Sequence, residues 1–138
     1  QYQLANNLLD LGTTDLAQNE FERAGVRFRE CLPLSESLGF RELLSWLFEG
    51  AAAISVSYDD AGRGARLLGA AKAMQEAGGI DGSYYPVALE LRERTTRAAT
   101  EMIGEADFTS AWLAGKELGL DEAIALAKSA LDEARGPA

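Results

Sequence analysis

The chain has 138 residues, 47% of them hydrophobic and 25% charged, with a formal net charge of −9. That length predicts one domain burying about two thirds of its unfolded surface, and the apolar content excludes a disordered chain. Acids outnumber bases 22 to 13, which argues against nucleic acid as a partner, because such binding needs clustered Lys and Arg to displace counterions.

Three prolines among many Ala, Leu and Glu favour helix throughout. The start, "QYQLANNLLD", has no basic segment before an apolar core and so does not read as a signal peptide. No apolar run approaches the roughly 18 residues needed to span a bilayer. Helices are predicted over 2–13 and 18–37, with breaks around "GTTD" and "AQNE". Pro33 predicts a bend or an early end in the second of them. The next pair covers 41–57 and 61–77 and turns at "YDD". A third pair, 85–102 and 105–118, breaks at Gly104, and Tyr84 and Tyr85 before Pro86 read as a loop staple on the previous hairpin. A last helix follows Leu120, with Asp121 as its N-cap and with Leu120, Ala123, Ile124 and Ala127 on one face.

Gly39-Phe40, Gly79-Ile80 and Gly119-Leu120 stand forty residues apart, each a glycine followed by a large apolar residue at the end of a helix-like segment. Such pairs predict Schellman stops, and three of them at one spacing predict three copies of one unit. In that register Arg23 falls on Arg63, Glu36 on Glu76 and Leu4 on Leu44, while Phe28, Leu68 and Phe108 share a column. Cys31, Ala71 and Ala111 share another.

The stretch "AISVSYDDAGRGARLLGAAKAM" offers two readings, a phosphate-cradling glycine loop or a helix whose small residues admit a close neighbour. No Lys-Ser or Lys-Thr follows its glycines, and Leu67 stands where a third glycine of a dinucleotide fingerprint belongs. The register assigns Gly64, Ala65, Ala70 and Ala71 to the second helix of a hairpin. Arg23, Arg27 and Arg29, and again Arg92, Arg94 and Arg97, are interleaved with Glu. Glu90–Arg94 and Glu93–Arg97 are at i, i+4 spacing, which predicts solvated, self-neutralising helix faces.

Chemistry is scarce. The absence of histidine removes the usual general base and the commonest metal ligand. A lone cysteine can supply neither an internal disulfide nor a Cys-rich zinc site, so a reducing, cytoplasmic setting fits. Cys31 occupies a small-residue position and reads as a buried packing thiol rather than a nucleophile. Asp59-Asp60 and Asp121-Glu122 fall at turns, where capping explains them. The chain is therefore expected to be no enzyme and to use no cofactor or metal.

The segment "LLDLGTTDLAQNEFERAGVRFREC" resembles a tetratricopeptide (TPR) repeat. It carries Leu11-Gly12, then Ala24, Phe28 and Cys31 at that family's spacing. Leu8 replaces the first tryptophan and Asp15 the tyrosine, and the unit is longer than the family's roughly 34 residues. "NEFERA", "CLPLSESLGF", "GARLLGAAKAMQEAGG" and "MIGEADFTSAWLAGKELGLDEAIALA" are together similar to the TPR-like region of large bacterial LuxR-type and SARP/AfsR-type transcription regulators that carry an ATPase module. The resemblance implies an all-α, TPR-like α-solenoid of about three hairpins plus a C-terminal capping helix. It further implies that residues 1–138 are one domain excised from a larger regulator.

It also implies signal reception by binding. In TPR arrays the first helix of each unit lines the concave face, which would place Asn6, Asp10, Trp46, Glu49 and Glu93 in a groove. Trp46 either stacks on a ligand there or is core, whereas Trp112 reads as core. The expected partner is a protein, either the regulator's own ATPase module or another chain, bound without nucleic acid or membrane. A small-molecule effector, or a spacer and oligomerisation role, is the alternative. Excision would expose an apolar face of the first helix at Leu4, Leu8 and Leu11.

Overall fold

A computed structural model describes residues 1–79 and 86–134. Among these residues there are seven helices and no strand: α1 (Tyr2–Ala17), α2 (Phe21–Leu38), α3 (Arg41–Ser57), α4 (Ala61–Gly78), α5 (Pro86–Ile103), α6 (Glu105–Lys116) and α7 (Leu120–Glu133). None of them is long and apolar enough to cross a membrane. The predicted Tyr84–Tyr85 staple lies outside the described residues.

The first four helices repeat at forty residues. Helices α1 and α3 end at Ala17 and Ser57, and α2 and α4 begin at Phe21 and Ala61. The turn between the helices is the same in both hairpins. Asn19 and Asp59 take the left-handed conformation, with φ of 61° and 64°, which short polar side chains tolerate. The next residues, Glu20 and Asp60, donate their N–H groups to the carbonyls of Asp15 and Ser55 at 2.8 Å. Gly39 and Gly79 close α2 and α4 in the left-handed region. At the first stop the N–H of Phe40 reaches back to the Ser35 carbonyl at 2.9 Å, the Schellman closure that the glycine pairs predict.

Side-chain size then sets the packing. Phe28 is fully buried, its ring wedged between Gly12 of α1 and Gly50 of α3. A Cβ at Gly50 would lie 2.7 Å from that ring. Gly64 lets α4 approach α3, since a Cβ there would meet Val56 at 2.8 Å and the Ala52 carbonyl at 3.2 Å. The ambiguous glycine stretch is thus a helix of a hairpin. "GTTD" is not a break, because α1 runs through it: Thr13 and Thr14 return their hydroxyls to the Leu9 and Asp10 carbonyls, and Gly12 makes room for Phe28. Likewise α2 continues through Pro33, which lies on an exposed side.

Beyond Gly79 the period fails. Forty residues on from the end of α3 at Ser57 is position 97, yet α5 runs on to Ile103. Helix α5 packs on α1, α3 and α4, and the main partner of α6 is α4 rather than α5. The α4–α6 crossing is made by Gly69 and Gly115, where a Cβ on either would run into the other helix's backbone, at Trp112 and Arg66. Gly119 is not a third helix stop. Its φ of −70° and ψ of 163° make it the N-cap of α7, and its N–H donates to the Glu122 carboxylate at 3.1 Å. Asp121, expected as that cap, lies within the first turn.

The last helix turns back over α2, α3 and α4 instead of extending the row beyond α6. Ala123, Ile124, Ala127, Ala130 and Leu131 are its buried face, while Leu120 is left exposed. Its end is held by Arg29, which donates to the Leu131 carbonyl at 2.6 Å, and by Arg63, 2.8 Å from Glu133.

Candidate functional site

The residues expected to line a groove do not share an open surface. Trp46 is 7% exposed beneath α5, among Thr13, Leu16, Ala88 and Leu91. The space left there is about 20 Å³, enough for roughly one water molecule. The guanidinium of Arg92 stands 5.6 Å from the centre of the Trp46 ring. Its Nε and Nη2 donate to the Glu49 carboxylate at 3.0 and 2.9 Å, and Gln75 donates to the same carboxylate at 2.8 Å. Trp46 is therefore core, and the Glu49 charge is compensated inside the fold. Of the remaining three, Asn6 is half-buried, and Asp10 on α1 and Glu93 on α5 are exposed.

Arg92 and Gln75 are the residues that sequence spacing missed. The two arginine groups are not strings of i, i+4 pairs. Arg92 reaches Glu49 on α3, Arg94 donates to the Leu16 carbonyl on α1 at 2.8 Å, and Arg27 faces Asp15 at 3.7 Å. These three cations serve other helices, and local spacing carries no signal of that.

An open site exists elsewhere. The last two turns of α4 present Ala70, Ala73 and Ala77, too small to fill the space toward α7, and the corner after α6 contributes Leu118. Phe48 of α3 and Met74 complete the walls of a cleft of about 400 Å³. It is apolar except at Arg41, which is exposed and has no ion-pair partner among the described residues. Met74 is a side chain able to reshape around an occupant. The run of small residues on α4 was the available signal: where a neighbouring helix does not fill against them, they leave a cavity.

The remaining polar chemistry is structural. Burial raises the Cys31 pKa, outweighing the Ser35 hydrogen bond that lowers it, and the thiol donates to the Ala5 carbonyl at 3.4 Å. The hydrogen bond and charge of Lys116 hold Glu76 below its usual range, at 2.8 Å. Among the described residues no three Cys, Asp or Glu side chains gather as a metal site. The chain matches no known protein family, no characterised protein and no solved structure.

Proposed function

We propose that the chain is a non-catalytic signal-receiving module, a TPR-like α-solenoid of the kind carried by LuxR-type and SARP/AfsR-type regulators, and that it works in the cytoplasm. It binds a partner protein, or the ATPase module of its own regulator, through the apolar cleft between α3, α4 and α7 rather than through the α1–α3–α5 face. The cleft carries this reading. An apolar concavity releases ordered water when filled, and Arg41 selects an occupant with an acidic group beside its apolar part. The matching turns and boundaries of the first two hairpins support the TPR-like assignment, and the buried, unpaired Cys31 supports a reducing compartment.

A second reading, a small-molecule effector sensor, is favoured by the size of the cleft, which lies within the roughly 300–1,000 Å³ of small-ligand sites. Anilinonaphthalene sulfonate, an apolar anion, is the probe. Calorimetry is expected to show one saturable site, abolished in Ala73→Trp and weakened about tenfold in Arg41→Gln. Absence of saturable binding, or binding indifferent to both substitutions, overturns the cleft as the site. Native mass spectrometry then separates the readings: extra mass lost on denaturation assigns the cleft to an effector, and a bare chain to a protein partner.

A further inference from the structure

Helix α7 packs on α3, with α2 and α4 at its sides, whereas the matching groove along α1 and α2 is left uncovered at Leu4 and Leu11. Along α3 the floor is the stripe Leu44, Phe48, Ala51 and Ser55, at i, i+4, i+7 and i+11. Phe48 borders the cleft shared with Ala123 of α7. Ser55 accepts from Arg63 Nε at 2.8 Å, and the Nη2 of the same arginine holds Glu133 of α7 at 2.8 Å. Leu44 and Ala51 are 2% and 0% exposed.

Forty residues earlier the same stripe reads Leu4, Leu8, Leu11 and Asp15, and Arg23 stands where Arg63 stands. Here Leu8, expected on an exposed face, and Asp15 are buried against the fold, and only Leu4 and Leu11 are open, at 51% and 46% exposed. Arg23 is exposed too, and makes no ion pair among the described residues. At the far end of the stripe, Asp15 Oδ2 and Arg27 Nε are buried without a hydrogen-bond partner, although they lie 3.7 Å apart.

We infer that the α1–α2 groove docks an amphipathic helix of a partner protein, built like α7. That helix carries an Ala and Leu stripe to cover Leu4 and Leu11, and a carboxylate in its last turn to meet Arg23. One wall is missing relative to the α7 groove, because α7 also leans on α2 through Arg29. Binding is accordingly reversible. This inference rests on the first two hairpins being copies of one unit, and not on what the α3–α4–α7 cleft holds, so either can fail alone.

The probe is a fluorescent peptide of residues 119–134, titrated against the full chain by anisotropy. Saturable one-to-one binding is expected. Leu4→Glu with Leu11→Glu, and separately Arg23→Glu, should each weaken it about tenfold or more. A peptide carrying Glu133→Arg should recover binding to the Arg23→Glu chain. These exposed positions should leave thermal stability nearly unchanged, and Leu11→Gln replaces the double variant if that one does not fold. Three results overturn the inference. The first is no saturable binding to the native chain. The second is binding unaffected by the groove variants, which means the peptide has displaced α7 from its own groove. The third is a dimer of the free chain that Leu11→Glu splits, which gives the groove to a second copy.

Discussion

The hairpins α1–α2 and α3–α4 agree at every boundary to within one residue, whereas α5–α6 departs from them, although all three share columns of matching residues. The column of Ala24, Gly64 and Gly104 shows how. Ala24 is buried in α2, Gly64 admits α3 against α4, and Gly104, with φ of 88° and ψ of 159°, forms the turn into α6. One small residue thus does three different jobs. In the first two hairpins, left-handed Asn19 and Asp59 fold the second helix back on the first. In the third, Gly104 redirects the chain so that α6 meets α4. A shared column records that a small or apolar residue is needed, and leaves open which helix will use it.

The column of Phe28, Leu68 and Phe108 gives the largest test of that difference. Phe28 is fully enclosed, while Phe108 is only half-buried at the edge of the core. Phe28→Ala leaves a cavity between two glycines that cannot collapse, and should destabilise by about 4 kcal/mol, against about 1 kcal/mol for Phe108→Ala. Urea denaturation monitored by Trp fluorescence measures both. Equal losses would mean that α6 packs as α2 does and that the two regions are alike after all.

The α4–α6 crossing is the next place to break the comparison. A Leu at Gly115 projects into the Arg66 backbone, which no rotamer change can relieve, and should destabilise by about 3 kcal/mol. Hydrogen exchange should localise the damage, with α6 losing protection while α1 and α2 keep theirs. Uniform loss of protection across all seven helices would mean that α6 is integral to the first two hairpins.

The first two hairpins were legible because their signals are local. Gly39, Gly79, the "YDD" turn and the apolar faces of α3 and α4 depend on residues within a few positions of one another. The candidate groove was not, because its fate rests on α5. Nothing near Trp46 or Glu49 in sequence shows that Arg92, 43 residues away from Glu49, will cover the one and neutralise the other. The path of α7 was hidden for the same reason. Its Ala-rich face was evident, but the groups that hold its end, Arg29 and Arg63, lie 102 and 70 residues before their partners. Pairing at that separation follows from topology, which the period of forty suggested for two units and misdirected for the third.

The smallest effect separates two glycines that look alike in sequence. Gly39 and Gly119 both precede a large apolar residue at the same point of the register. At Gly39, φ is 69° and nothing lies within 4 Å of an added Cβ, so substitution is opposed by backbone conformation alone. Gly39→Ser should destabilise by about 1 kcal/mol, which lowers the melting temperature by roughly 4 °C in a chain of this size. Gly119 is extended, and an added Cβ would meet only the Glu122 carboxylate at an ordinary 3.4 Å. There a serine oxygen can accept from the exposed N–H groups of the first turn of α7, so Gly119→Ser should stabilise by a few tenths of a kcal/mol. The sign, read from paired thermal melts, decides the matter: opposite signs keep Gly119 as an N-cap, and two losses of similar size would make it a helix stop and return the third unit to the pattern of the first two.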